Sequence, residues 1–225
     1  MNDPFLMKRD NATELFLIRH GDAIPGAEEI IPSGIYNNLP LSQKGRQQAI
    51  ALAERLKSIH FDVAVSSPLR RCLETAAPLV EQLGLEPEIV EDIKEVHLGD
   101  VIIIPEMKAG DDLTTLSLAL RERQEEIIRQ VGPMGNWDAI PGSESSRAFR
   151  RRVVNAIDKI VLEHIGQRVL VFAHGGVINA YAAEALDLDR DFFFPCANTS
   201  ITVIRANRIS RVIYVLNDIA HLKLL

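Results

Sequence analysis

The chain has 225 residues, 47% of them hydrophobic and 25% charged, which suits one large α/β domain or two small ones with a core that needs no covalent staples. Its 31 acidic and 25 basic side chains give a net charge of -6, which speaks against a nucleic-acid binder but leaves room for a cationic cleft. No window reaches the ~18 uninterrupted apolar residues of a membrane span, and Cys72 and Cys196 fit no metal-ligand spacing, reading instead as reduced thiols of a cytoplasmic protein.

A leader through Thr13 lacks the charged-then-apolar pattern of a signal peptide and is expected to stay outside the fold. The first strand, ELFLIR from Glu14, ends on Arg19, His20 and Gly21. In LSQKGRQQAIALAERLKSI the residues Ala49, Leu52, Ala53 and Leu56 share one helical face, with Ser42 as N-cap. The strand DVAVSS from Asp62 leads into the helix PLRRCLETAAPLVEQLG, with Pro68 in its first turn, Gly84 as C-cap and Pro78 as a bend or break. A short strand, EPEIV, starts at Glu86.

The stretch from Leu98 to Gly142 differs from its surroundings and contains the helix-like LTTLSLALRERQEEIIRQV. It reads as an insertion forming a lid over one end of the sheet, or as a plain crossover. In SESSRAFRRRVVNAIDKIVLEHIG, Ser143 is the expected cap and Phe149, Val153, Ile157 and Ile160 form the buried stripe. The arginines of FRRRVV read as the solvated face of this helix, and Glu144 as a charge favouring its positive end. The strand RVLVFA from Arg168 runs through His174, Gly175 and Gly176 into the helix VINAYAAEALDL. SITVIRA and RVIYVL, joined by NRIS, form a hairpin. This alternation predicts a single domain from residue 14 onward, a mostly parallel sheet between helical layers with an antiparallel element at or near one edge.

In open α/β sheets ligands gather outside the carboxyl ends of the strands. Those ends carry Arg19-His20-Gly21, then Ser66-Ser67-Pro68 followed by Arg70 and Arg71, and finally His174-Gly175-Gly176. Guanidinium forks, glycine-led helix starts and imidazoles together suit phosphoryl transfer. A free imidazole titrates near pH ~6.5, and adjacent arginines disfavour its charged form, so a neutral nucleophile is expected. Such a nucleophile needs a general acid that later becomes a base. Glu88, Glu91, Asp92 and Glu95 are the candidates, and spacing does not choose among them. Trp137 reads as lining the pocket mouth or as packing, Asn198 as reaching the cleft from a loop, and His97 as an ordinary loop histidine. His60, His164 and His221 belong to no constellation.

The blocks LIRHGDA, SSPLRRCLETA, IKEVHLG, PGSES and VFAHGGVINA, in that order, resemble the histidine phosphatase superfamily, also called the phosphoglycerate mutase-like family. The resemblance runs from Leu15 to the C-terminus and is thinnest over Leu98–Gly142. It implies a three-layer α/β/α fold and a covalent phosphohistidine intermediate. By matching positions, it makes His20 the nucleophile, Arg19 and Arg71 phosphate-binding, His174 the second pocket histidine, the Gly175 amide a further donor and Glu95 the acid. Arg70 then faces outward or meets substrate at the rim.

Some positions depart from the mutase branch of that family. Gly26 stands where an asparagine reaches the phosphate, Asp22 replaces the usual glutamate, and the mutase substrate blocks are missing from VHLGDVIIIPEMK. Hydrolysis of a small phosphorylated metabolite is therefore favoured, with no metal or other cofactor. Inorganic phosphate is a further ligand; neither nucleic acid nor membrane is an expected partner, and a homodimer is one open assembly state. The alternatives are a phosphoglycerate mutase-like isomerase and a non-catalytic phospholigand-binding module. Specificity is assigned to residues 23–40 and to the insertion.

Overall fold

The computed structural model describes residues 8–25, 38–98 and 113–224. Its strands are β1 (Thr13–Arg19), β2 (Val63–Ser66), β3 (Glu88–Ile89), β4 (Arg168–Ala173), β5 (Ile201–Ala206) and β6 (Arg211–Asp218). Its helices are α1 (Gln43–Leu56), α2 (Arg70–Leu83), α3 (Leu113–Met134), α4 (Ser146–Glu163) and α5 (Gly175–Ala185). The strands form one sheet in the order β3-β2-β4-β1-β5-β6. The first four are mutually parallel, while β5 and β6 form the expected antiparallel hairpin at one edge.

Alternation along the two middle strands divides the core. Leu15, Leu17, Val169 and Val171 pack with Phe149, Val153 and Ile157 of α4 and with residues of α5. Phe16, Ile18, Leu170 and Phe172 face the other way, against Leu52 and Leu56 of α1 and Leu79 of α2. Each fully buried branched side chain contributes roughly 1.5–3 kcal/mol. Two helical layers on either side of a sheet give the three-layer α/β/α sandwich.

Strand parity also explains the site. Arg19 pairs with Ala173 across the parallel β1–β4 ladder, and the His20 amide donates to the Ala173 carbonyl at 3.0 Å. The next rung therefore sets His20 beside His174, both on the face of α1 and α2.

Several local expectations need correction. Pro78 does not interrupt α2, which runs unbroken through it to Leu83. The proline itself is partly exposed. Pro68 precedes the helix, whose cap position is Leu69, while the Arg70 amide finds Asn38 Oδ1 at 2.7 Å. Ser145, not Ser143, caps α4. Ser143 instead donates to the Trp137 carbonyl at 2.8 Å. Gly84 does end α2 in a left-handed conformation, φ 67°, and Ser42 caps α1 by accepting from the Gly45 amide.

Of the leader expected over 1–13, residues 1–7 lie outside the described residues. Ala12 and Thr13, however, are fully buried, and Thr13 opens β1 by donating to the Val161 carbonyl at 2.6 Å. Of the insertion, residues 99–112 lie outside the described residues. Its second half supplies α3 and places Val131 and Trp137 in the core. Among the described residues no helix is long and apolar enough to cross a membrane.

Candidate active site

His20 leaves the end of β1 with its ring almost wholly buried. Its Nδ1–H donates to the Gly21 carbonyl at 2.7 Å, so Nε2 keeps its lone pair. Burial, with Arg71 and then Arg19 adding to it, holds the ring well below the usual histidine range, so it is neutral at pH 7. Gly21 is required by close packing, because a Cβ there would lie 2.8 Å from the Gly45 carbonyl of α1. Asp22 ties this turn to α1: its carboxylate accepts from Ser42 Oγ at 2.6 Å, and its amide donates to Gln48 Oε1 at 2.8 Å.

The rings of His20 and His174 stand 5.3 Å apart, centroid to centroid. Arg71 Nη2 donates to His174 Nδ1 at 3.2 Å, and a guanidinium only donates. The His174 proton is therefore on Nε2, which donates to Ser67 Oγ at 2.9 Å. Burial first, then Arg71 and His20, keeps this ring neutral too. Cys72 Sγ lies 3.5 Å from the same nitrogen, and burial pushes its thiol up to about 12, so it stays protonated. Arg19 donates through Nη1 to the Cys196 carbonyl, while its buried Nε–H has no partner among the described residues. Gly175 opens α5, so its amide belongs to the unpaired first turn. Arg70 turns outward, as expected, and pairs with Glu74 at 2.6 Å.

Glu95 lies beyond the 3-10 turn Glu91–Ile93 and reaches the start of α5. Its Oε2 accepts from the Gly176 amide at 3.2 Å and its Oε1 from the Val96 amide at 3.1 Å. A Cβ at Gly176 would sit 2.3 Å from Glu95 Oε1 and 3.0 Å from Trp137 Cζ2, so this glycine makes room for the Glu95 side chain. Trp137 is buried against Phe149 and Phe192, which makes it packing beside the site rather than its mouth. Glu88, Glu91 and Asp92 are exposed, and His97 is a loop residue at the surface.

Apart from Asn198, expected to reach the cleft from a loop, sequence reasoning missed the residues that hold this machinery in place. The His20–Gly21 peptide is gripped from both sides: its carbonyl accepts from Asn198 Nδ2 at 3.0 Å, and its N–H donates to Thr75 Oγ1 at 2.9 Å. Thr75 in turn donates to the Arg71 carbonyl at 2.6 Å, linking the turn to α2. Thr199 has φ 53°, a strained conformation for a β-branched residue, and its amide donates to the Arg19 carbonyl at 3.0 Å. His221, assigned to no constellation, bonds Thr199 Oγ1 at 3.0 Å from the C-terminal 3-10 helix.

The FRRRVV expectation fails for two of its three arginines. Arg150 pairs with the buried Asp191 and with the Leu188 carbonyl, and Arg152 is half-buried against Glu144; only Arg151 is exposed. Among the described residues no group of three His, Cys, Asp or Glu is placed to hold a metal ion.

A family model for the histidine phosphatase superfamily (branch 1) matches residues 15–219. A metal-independent phosphoserine phosphatase of Arabidopsis thaliana is 30% identical over 214 residues, spanning 93% of this chain and 83% of that protein. Phosphoserine phosphatase 1 of Hydrogenobacter thermophilus is also 30% identical over 214 residues, spanning 93% and 94%. Among solved structures, a phosphoglycerate mutase from Bacillus anthracis superposes with TM-score 0.71 at 25% identity, covering 96% of this chain and 98% of that one.

Proposed function

The chain belongs to the histidine phosphatase superfamily, and from that premise we propose that it hydrolyses small phosphomonoesters without a metal, through a phosphohistidine on His20. The observation that carries this reading is the pair of buried, neutral imidazoles side by side between two guanidinium groups. Nε2 of His20 attacks phosphorus as the ester P–O bond breaks, and the leaving oxygen takes a proton from the Glu95 carboxyl. The Glu95 carboxylate then accepts a proton from water, whose oxygen attacks phosphorus, breaks the P–N bond and frees phosphate. Arg19, Arg71, His174 and the Gly175 amide spread the charge of the transferring group.

The lid reading of 98–142 is kept as a proposal for α3. The Ser117 hydroxyl of α3 donates to the carbonyl of Pro25, five residues past the nucleophile, which sets this helix beside the cleft. The two relatives described above are named phosphoserine phosphatases, while a third at 30% identity is named a phosphoglycerate mutase-like protein, so phosphoserine is the first substrate to try. Cys72 and Cys196 are free and buried, which suits a cytoplasmic setting.

With chelator present, the wild-type chain releases phosphate from phosphoserine or another small phosphomonoester and takes up an acid-labile label. His20→Ala loses the label and about 10⁴-fold or more in kcat/KM. A label surviving in that variant, or turnover abolished by chelator alone, overturns the reading. The likeness to a phosphoglycerate mutase favours isomerisation as the second reading. Phosphoglycerate converted to its isomer rather than to free phosphate would establish it.

A further inference from the structure

The segment that presents Glu95 has little secondary structure of its own, yet both of its flanks are fastened to one ion pair. Arg152 Nη1, on α4, donates to the carbonyls of Asp92 at 2.8 Å and Lys94 at 3.0 Å. The other edge of the same guanidinium meets Glu144 as a fork, Nη2 to Oε2 at 2.6 Å and Nε to Oε1 at 3.0 Å. On the far side of the acid, the Glu144 amide donates to the His97 carbonyl at 2.6 Å. The Arg152 guanidinium carbon also sits 5.0 Å from the centre of the Phe149 ring, which limits its freedom to swing away. Three carbonyls flanking Glu95, two before it and one after, are thus held by two residues that among the described residues make no hydrogen bond to His20, Arg19, Arg71 or His174, although the Arg152 charge reaches the His174 ring.

We infer that Arg152 and Glu144 are positioning residues for the proton donor, setting where the Glu95 carboxyl stands over the leaving oxygen. This rests on the reading of Glu95 as general acid. A lysine at 152 keeps the charge but cannot hold two carbonyls and a carboxylate together, because only the planar fork offers donors on two edges. Misplacing a proton donor matters only where the leaving group needs the proton. An alkyl oxide does; a nitrophenolate leaves without it.

The test measures the single-turnover rate of phosphoenzyme formation with phosphoserine and with p-nitrophenyl phosphate, in wild type and in three variants. Arg152→Lys is expected to slow the alkyl ester about twentyfold while leaving the aryl ester within about twofold of wild type. Glu144→Gln, which retains a neutral hydrogen bond, should show the same selectivity at about fivefold. Glu95→Gln is the reference and should show the largest selective loss. If Glu95→Gln slows both esters equally, Glu95 is not the acid, and the positioning role falls with it. If Glu95→Gln is selective but Arg152→Lys and Glu144→Gln either match wild type or slow both esters alike, the ion pair is merely structural and the inference alone is overturned. Should Arg152→Lys not fold, Glu144→Gln decides by the same criterion.

Discussion

His20, Arg71 and His174 enter the cleft straight from the end of β1, the first turn of α2 and the end of β4, whereas Glu95 enters from a segment preceded only by a two-residue strand and a three-residue turn. The proposed phosphate half is located by backbone: register places the imidazoles on one rung, and parity turns them to one face. The proposed acid half is flanked instead by the Arg152 side chain of α4 and the Glu144 amide of the turn before it. Each half is suited to its task. Binding a tetrahedral anion demands donors fixed relative to one another, which a sheet supplies. A proton donor has to meet leaving groups of different shape, and a side-chain-held loop can be retuned without disturbing the sheet.

Breaking the phosphate half should cost most, whatever the leaving group. Arg71→Lys keeps a cation but loses the fork and the bond to His174 Nδ1, freeing that ring to change tautomer. The expected loss is about 10²–10³-fold in kcat/KM, equal for alkyl and aryl esters. A loss confined to alkyl esters would assign Arg71 to the acid half instead.

Breaking the acid half should be milder and selective. In Gly176→Ala the new methyl takes the place of Glu95 Oε1 and presses on the buried Trp137 ring at 3.0 Å, so the carboxyl moves away and the ring gives by a few tenths of an ångström. We expect a melting temperature a few degrees lower, a fall of about thirtyfold in kcat for alkyl phosphates and little change for aryl phosphates. A folded variant that slows alkyl and aryl phosphates alike would erase the contrast between the halves.

The same contrast divides what could be read from sequence. His-Gly at two strand ends, and arginines in a first helical turn, are local patterns, because strand alternation and helix starts depend on neighbours along the chain. Their convergence follows from the sheet order. The supports are not local: Arg152 meets carbonyls 58 and 60 residues away, and Asn198 meets the His20 carbonyl 178 residues away. No period in the chain announces such contacts. On helical spacing alone Arg152 counts as a surface residue, and His221 as incidental. The one hint was the proximity of Glu144 to Arg152, eight positions apart at the head of one helix, which suggests an ion pair but not what it holds. Pro78 misled for the opposite reason, since a local rule that allows a break met a helix that continues through it.

Titration sharpens the comparison further, because the phosphate half buries two imidazoles kept neutral. Above pH ~6.5 both the folded and the unfolded chain hold these rings neutral, and stability does not depend on them. Below it the unfolded chain takes up protons that the folded chain refuses, so stability falls as pH falls. Each ring adds a slope of up to about 1.4 kcal/mol per pH unit. Urea unfolding at pH 7.5 and pH ~5.5 should therefore show His20→Gln losing less stability on acidification than wild type, by about 1 kcal/mol or more. An equal loss in both proteins would mean that the ring at position 20 titrates normally.

The smallest effect belongs to the residue next to Arg71. Arg70 carries the same charge one position earlier, but a helix turns each residue by about 100° relative to its neighbour, which sends its side chain away from the cleft. It is about half exposed and pairs with Glu74 at i+4, an arrangement contributing at most about 0.5 kcal/mol. Glu74 does not depend on it, because its other oxygen accepts from the Leu41 amide at 2.8 Å. Arg70→Ala should thus leave kcat/KM for phosphoserine within about twofold and the melting temperature within about 2 °C. A tenfold rise in KM with unchanged kcat would place Arg70 on the substrate at the rim and extend the phosphate half by one more guanidinium.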